Sequence, residues 1–215
     1  MKTNKIYKIL NLYACLGGNR YKWDEVADIE VTAVEWDSEL ARMYQERFPN
    51  DTVIAADAHQ YLLDHYKEFD FIWSSPPCPT HSRINISQKK VRKMVYPDMG
   101  LYQEIIFLDN FFDGKWVVEN VIPYYKPLIP AQKRGRHLYW ANFILPNIKP
   151  RDAIIRRWQL PQLEKHHNID LSGYKGSQNK RQIARNLVDY EAGRTILETA
   201  MSIIKNNNTK QATLF

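Results

Sequence analysis

The chain has 215 residues, 44% of them hydrophobic and 13% aromatic, which supports one packed domain with a small appendage and excludes disorder throughout. Its 30 Lys and Arg exceed 24 Asp and Glu, so the net charge is +6. That balance excludes an acidic surface overall and suits a polyanionic partner, although many ordinary proteins are equally basic.

Ile6 to Ala14 reads as a buried strand that ends in Gly17–Gly18. Val31 to Trp36 is a second strand, and Asp37 to Phe48 a helix. Thr52 to Ala56 is a short third strand. Phe69 to Ser75 is a fourth, stopped by Pro76–Pro77. Leu101, Ile105, Leu108 and Phe112 give Gly100 to Phe112 helical spacing. Trp116 to Glu119 is a fifth strand, His137 to Phe143 a sixth, and Tyr190 to Ile204 a last helix. This alternation predicts an α/β fold, an open and mostly parallel sheet with helices on both faces. Ligands of such sheets sit at the carboxyl ends of the strands. Residues 146–180 break the rhythm, being rich in Pro, Arg, Lys, Asn and His.

Cys15 and Cys78 have no metal-ligand spacing and make no disulfide framework. No metal is expected, and a reduced, cytoplasmic setting is the simplest expectation. No apolar run approaches the ~20 residues of a membrane span, and the first residues do not read as a signal peptide.

Glycines at a strand-to-helix turn let the backbone approach a ligand closely. At the end of the second strand, Glu35 can bond ribose hydroxyls and Trp36 can stack on adenine; Asp37 can cap the following helix. Asp57, at the end of the third strand, can accept from an adenine amino group or cap a helix. Together these strand ends favour a nucleoside-containing cofactor. Cys78 follows the fourth strand within Ser75–Pro76–Pro77–Cys78–Pro79, where prolines fix the backbone around a thiol. Work as a nucleophile requires the thiolate, so positive neighbours are expected to lower its pKa. Glu119, after the fifth strand, is either a desolvated carboxyl that donates to a ring nitrogen or a loop carboxylate paired with Arg. In Gln132–Lys133–Arg134–Gly135–Arg136, at least one arginine is expected to face the site.

These blocks, in this order, resemble the DNA cytosine-5 methyltransferases, and most of all the small versions of phages and prophages. The first motif resembles Leu12–Tyr13–Ala14–Cys15–Leu16–Gly17–Gly18, with Cys15 in place of a glycine. The catalytic motif resembles Pro76–Pro77–Cys78, with Pro79 for the usual glutamine and His81 for the usual aromatic. Glu119–Asn120–Val121 is intact, and Gln132, Arg134 and Arg136 match the glutamine–arginine motif. Arg185–Asn186–Leu187–Val188 is similar to the final motif at Asn186 and Val188 only. The resemblance implies a Rossmann-like methyltransferase fold with S-adenosylmethionine as cofactor, held by Tyr13, Ala14, Leu16, Gly17, Gly18, Glu35, Trp36, Asp57, Ala58, Pro77 and Asn186. It implies double-stranded DNA as partner, as in restriction–modification. Cys78 would be the nucleophile on carbon 6 of a flipped-out cytosine, with Glu119 at ring nitrogen 3 and Arg136, with Arg134, at the base carbonyl.

On this reading residues 1–145 are the catalytic and cofactor-binding domain and 146–180 a reduced target-recognition segment. Residues 181–204 return to the catalytic domain as a helix, and 205–215 form a tail unable to pack. The Arg83 to Asp98 loop, with Arg83, Lys89, Lys90, Arg92 and Lys93, is expected to contact DNA phosphates, with a solvated surface loop as the competing reading. Arg151, Arg156, Arg157, Trp158, His166, His167, Asn168, Gln178 and Asn179 are the inventory for target reading. So short a segment suggests a short site, relaxed specificity, or a homodimer that shares the reading. The alternatives are an RNA cytosine-5 methyltransferase, an amino-group methyltransferase, which would need an aromatic at Cys78, and a catalytically idle DNA- or cofactor-binding protein.

Overall fold

The computed structural model describes residues 5–83, 95–147 and 158–212. Its strands are β1 (Tyr7–Leu12), β2 (Ile29–Val34), β3 (Thr52–Ile54), β4 (Phe71–Ser74), β5 (Lys115–Val121), β6 (Gln132–Arg134) and β7 (His137–Ala141). They form one sheet in the order β3-β2-β1-β4-β5-β7-β6. Pairing from β3 to β5 is parallel, and β7 runs antiparallel to both β5 and β6. Strand order reverses between β1 and β4, which opens a crevice beyond their carboxyl ends.

The helices are α1 (Ser38–Arg47), α2 (Ala58–His65), α3 (Gly100–Phe111), α4 (Leu160–His167), α5 (Lys180–Asn186) and α6 (Tyr190–Ala212), with 3-10 turns at Asn19–Glu25 and Tyr66–Glu68. Alternate strand residues feed two cores, as the two-residue period of a strand requires. Ile9, Phe71, Trp73, Val117 and Tyr139 meet Trp23 and the α6 residues Ile196, Leu197 and Ala200 on one face. Leu10, Ile72, Trp116, Val118 and Leu138 meet Leu62 of α2 and Leu101, Ile105 and Leu108 of α3 on the other. Central strands covered on both faces are apolar throughout, which is why β4 reads as the unbroken run Phe71–Ile72–Trp73. No described helix is long and apolar enough to cross a membrane.

The last helix does not stop at Ile204; its backbone is helical to Ala212, through most of the stretch expected to be an unpacked tail. Once nucleated, a helix extends at little cost through residues that are neither Gly nor Pro. The expected return helix over 181–204 is two helices, α5 and α6, separated by Leu187–Val188–Asp189.

Candidate active site

The chain leaves β1 through an unusual backbone. Tyr13, Cys15 and Gly17 all lie in the left-handed region, with φ of 56°, 48° and 65°. Only the third is glycine, so Tyr13 and Cys15 each carry strain, on the order of 1 kcal/mol. Two contacts hold the loop. Ala14 N–H donates to Val34 O at 3.0 Å, and Cys15 N–H donates to Glu35 Oε2 at 2.9 Å. Glu35 is buried, its Oε1 accepts from Asp37 N–H at 3.0 Å, and desolvation pushes its carboxyl upward. Gly18 must be small, because a Cβ there would lie 2.6 Å from Val188 O. The first motif and the last therefore close on each other.

Next to Glu35, the Trp36 indole is 78% exposed, an open flat face at the end of β2. Asp37 caps α1, accepting from Glu39 and Leu40 N–H. Asp57 caps α2 through Oδ1 and Gln60 N–H at 2.9 Å, so the capping reading holds for both acids. Asp57 is exposed, and its Oδ2 makes no bond among the described residues. Ala58 is buried in the α2 core, Pro77 is exposed, and Asn186, also exposed, accepts from Gln182 Nε2 at 2.6 Å.

Cys78 begins a tight turn, its carbonyl accepting from His81 N–H at 3.0 Å and Ser82 N–H at 3.1 Å. Asn120 Nδ2 donates to Pro76 O at 2.9 Å, which ties this turn to the end of β5. Burial and the Glu119 charge push the Cys78 thiol up to about 11, against the opposing pull of Arg136. The expectation of a lowered pKa is corrected: one guanidinium does not offset desolvation plus a neighbouring carboxylate.

Glu119 and Asn120, at the end of β5, are both buried. His137 Nε2 lies 3.6 Å from Glu119 Oε1, and burial with the Arg136 charge pushes its pKa down to about 3, so the ring is neutral. Arg136 donates through Nη2 to Arg185 O at 3.1 Å and is the arginine whose charge reaches Cys78. Arg134 does not join it. Its guanidinium donates to Pro146 O and Leu145 O, both at 2.8 Å, and to Lys133 O at 2.9 Å. The Gly135 turn, with φ of 57°, sends the two arginines apart, and Arg134 clasps the turn after β7.

One buried residue escapes sequence reasoning. Glu104 of α3 is 1% exposed, and its carboxylate accepts from Tyr13 Oη at 2.5 Å and Ser74 Oγ at 2.6 Å. His59 Nδ1 lies 3.1 Å from the same group, which raises the His59 pKa. The ends of β1 and β4 and the start of α2 thus converge on one carboxylate. Its only sequence signal is an acid on the apolar face of a helix.

The basic loop and the recognition inventory divide differently. Lys89, Lys90, Arg92, Lys93, Arg151, Arg156 and Arg157 lie outside the described residues. Arg83 is exposed, with Nε 3.4 Å from Pro123 O. Of the rest, His167 is buried and Asn179 caps α5. Gln178 donates to Asp37 Oδ2 at 2.7 Å, and Asn168 to Tyr21 Oη at 2.6 Å. Leu163, Leu171 and Tyr174 pack with Leu16, Leu40, Ile183 and Leu187. Residues 158–180 are therefore joined to the side of the sheet domain that carries the Tyr13–Gly18 loop.

The family model for C-5 cytosine-specific DNA methylase matches residues 7–121, more than half of the chain. No curated protein matches. Among solved structures, a Spodoptera frugiperda DNMT2 mutant is similar at 25% identity and TM-score 0.40, over 54% of this chain and 35% of that one. An Entamoeba histolytica methyltransferase, EhMeth, is similar at 12% identity and TM-score 0.38, over 54% and 38%. A DNA modification methyltransferase described as putative and encoded within an Escherichia coli prophage gives 18% and 0.38, over 56% and 33%. The chain thus spans little more than a third of the length of these proteins. The matched segment runs from the left-handed loop through Cys78 to Glu119–Asn120–Val121, and by that match the chain belongs to the C-5 cytosine-specific DNA methylase family.

Proposed function

We propose that this protein transfers a methyl group from S-adenosylmethionine to carbon 5 of cytosine in DNA, through a covalent bond from Cys78 Sγ to carbon 6. The observation that carries the reading is a convergence of strand ends: Asn120 Nδ2, at the end of β5, donates to Pro76 O at 2.9 Å, which ties buried Glu119 and Asn120 to the Cys78 turn. The strand ends fit the nucleoside part of the donor. Trp36 offers an open aromatic face, and Glu35 and Asp57 offer carboxylate oxygens for hydroxyl and amino groups.

When bound, S-adenosylmethionine supplies an electrophilic methyl group. Cys78 loses its proton, and its thiolate forms the bond to carbon 6, which moves the ring π pair to carbon 5. That pair would form the new carbon–methyl bond as the bond from methyl to the sulfonium sulfur breaks, which leaves S-adenosylhomocysteine. Glu119 in its protonated form donates to ring nitrogen 3 and offsets the charge that develops there. Arg136 holds the base carbonyl. Water would then take the carbon 5 proton, the electrons of that carbon–hydrogen bond would restore the ring double bond, and Cys78 would leave carbon 6 as the thiolate. His137, buried beside Glu119, is neutral.

The test uses duplex DNA that carries 5-fluorocytosine, since fluorine blocks the last elimination. Wild-type protein with cofactor should give a covalent adduct by mass spectrometry, and Cys78→Ser should give none. Turnover by Cys78→Ser refutes the mechanism. A parallel RNA arm decides the polymer: labelling of RNA alone would replace DNA as the substrate.

A further inference from the structure

We propose that the cleft between α4 and the start of α6 binds an unstacked nucleobase that neighbours the target cytosine on the same strand. This rests on nucleic acid being the substrate, as proposed above. The cleft measures about 410 Å³ and is lined by Trp158, Gln162, Lys165, His166 and Tyr190. That volume falls within the roughly 300–1,000 Å³ of sites that hold small organic ligands.

The lining dictates the ligand. One wall is aromatic: the His166 ring lies 5.1 Å edge-on from Trp158 and 6.0 Å from Tyr190. Asp189 Oδ2 lies 3.4 Å from His166 Nε2, behind that central ring. Gln162 uses Oε1 to accept from Gln159 N–H at 2.8 Å, which leaves its amide hydrogens for a ligand acceptor. Lys165 is exposed and makes no ion pair among the described residues. A ligand that satisfies all three features is flat, carries an acceptor at its edge and bears negative charge. A nucleotide has these through its base face, its ring acceptors and its phosphate. An acidic peptide lacks the face, and an aliphatic ligand lacks the charge.

The position links the cleft to the reaction. The His167 ring packs 4.7 Å from His166 on one side of the wall. Arg136 donates to Arg185 O at 3.1 Å on α5, and α5 packs against α4 through Ile183, Ala184 and Leu163. The α4 wall of the cleft is thus linked through α5 to Arg136, whose charge reaches Cys78. When a target base leaves the stack its neighbour loses a stacking partner, and this aromatic wall can replace it.

The test is binding of a fluorescent single-stranded DNA decamer to the full chain, with a nucleoside monophosphate as a second ligand. Trp158→Ala should weaken decamer binding by roughly 5- to 150-fold, the range for one base–aromatic stack. Trp158→Phe, which keeps a π face, should stay within a few-fold of wild type. Lys165→Ala should weaken binding less and flatten its salt dependence. Affinity for S-adenosylmethionine and the thermal midpoint, read in parallel, should match wild type for Trp158→Phe and Lys165→Ala. An effect on the monophosphate alone would assign the cleft to free nucleotides and overturn the target-strand source. Equal affinity of wild type and Trp158→Ala for both ligands would overturn the site. Methyl transfer retained in that case would leave the proposed function standing. Trp158-dependent binding without methyl transfer would remove that function and keep the site.

Discussion

With a thiol near 11, Cys78 carries on the order of 0.1% thiolate at pH 8 before substrate arrives. Alkylation of Cys78 by iodoacetamide should therefore rise about tenfold per pH unit up to about pH 11. Because Glu119 raises this thiol and Arg136 lowers it, Glu119→Gln should speed alkylation at pH 8 and Arg136→Gln should slow it. Methyl transfer should fall in both variants, so reactivity and turnover separate at Glu119. Peptide mass mapping distinguishes Cys78 from Cys15, whose thiol is pushed far upward by burial and Glu35 and should stay unlabelled. If Glu119→Gln slows labelling of Cys78, the two residues are not electrostatically coupled as described.

Glu104 sets geometry between elements. Its carboxylate accepts from β1 through Tyr13 and from β4 through Ser74. Glu104→Ala leaves two buried hydroxyls without an acceptor, and a loss of about 1–3 kcal/mol is expected by urea denaturation. Ser74→Ala removes one partner only and should cost less. A second contact between elements involves Gly193 in α6. In an open helix Gly→Ala stabilises by about 1 kcal/mol. Here the new Cβ would sit 2.1 Å from Asn19 O, a backbone atom of the 3-10 turn that cannot rotate away. Overpacking costs typically about 1–3 kcal/mol or more, so packing outweighs propensity. Gly193→Ala should lower the urea midpoint, and a higher midpoint would show that α6 and the turn slide apart freely.

Across the whole molecule, residues 158–179 pack as part of the sheet domain. Leu163 and Leu171 are fully buried there against Leu16 and Leu40. Arg47 donates to Leu16 O at 2.7 Å and His167 O at 2.8 Å, bridging the Tyr13–Gly18 loop and α4. Leu163→Ala should therefore destabilise the entire protein by about 2–5 kcal/mol, with one unfolding transition seen by both Trp fluorescence and circular dichroism. Two separated transitions would instead mark the segment as an independent unit. Transfer of a foreign segment into this position should yield folded protein only where residues equivalent to Leu163, Leu171 and Tyr174 are kept.

Periodicity alone determined the strands β1, β4 and β5 and the helices α1 and α3, because each buries a regular apolar pattern. It also marked Cys78, Glu119 and Arg136, since strand ends followed by Pro–Pro or by a buried acid are local signals. Short helices such as α2 and α4 were not legible, because their few apolar residues show no clear period until a partner surface covers them. The different fates of Arg134 and Arg136 depended on the Gly135 turn and on carbonyls of residues 145 and 146. The role of Glu104 depended on hydroxyls 91 and 30 residues away. Chain order specifies which residues exist and which elements they form. Only the packed sheet decides which distant groups meet, because burial, hydrogen-bond partners and pKa shifts are properties of neighbours in space.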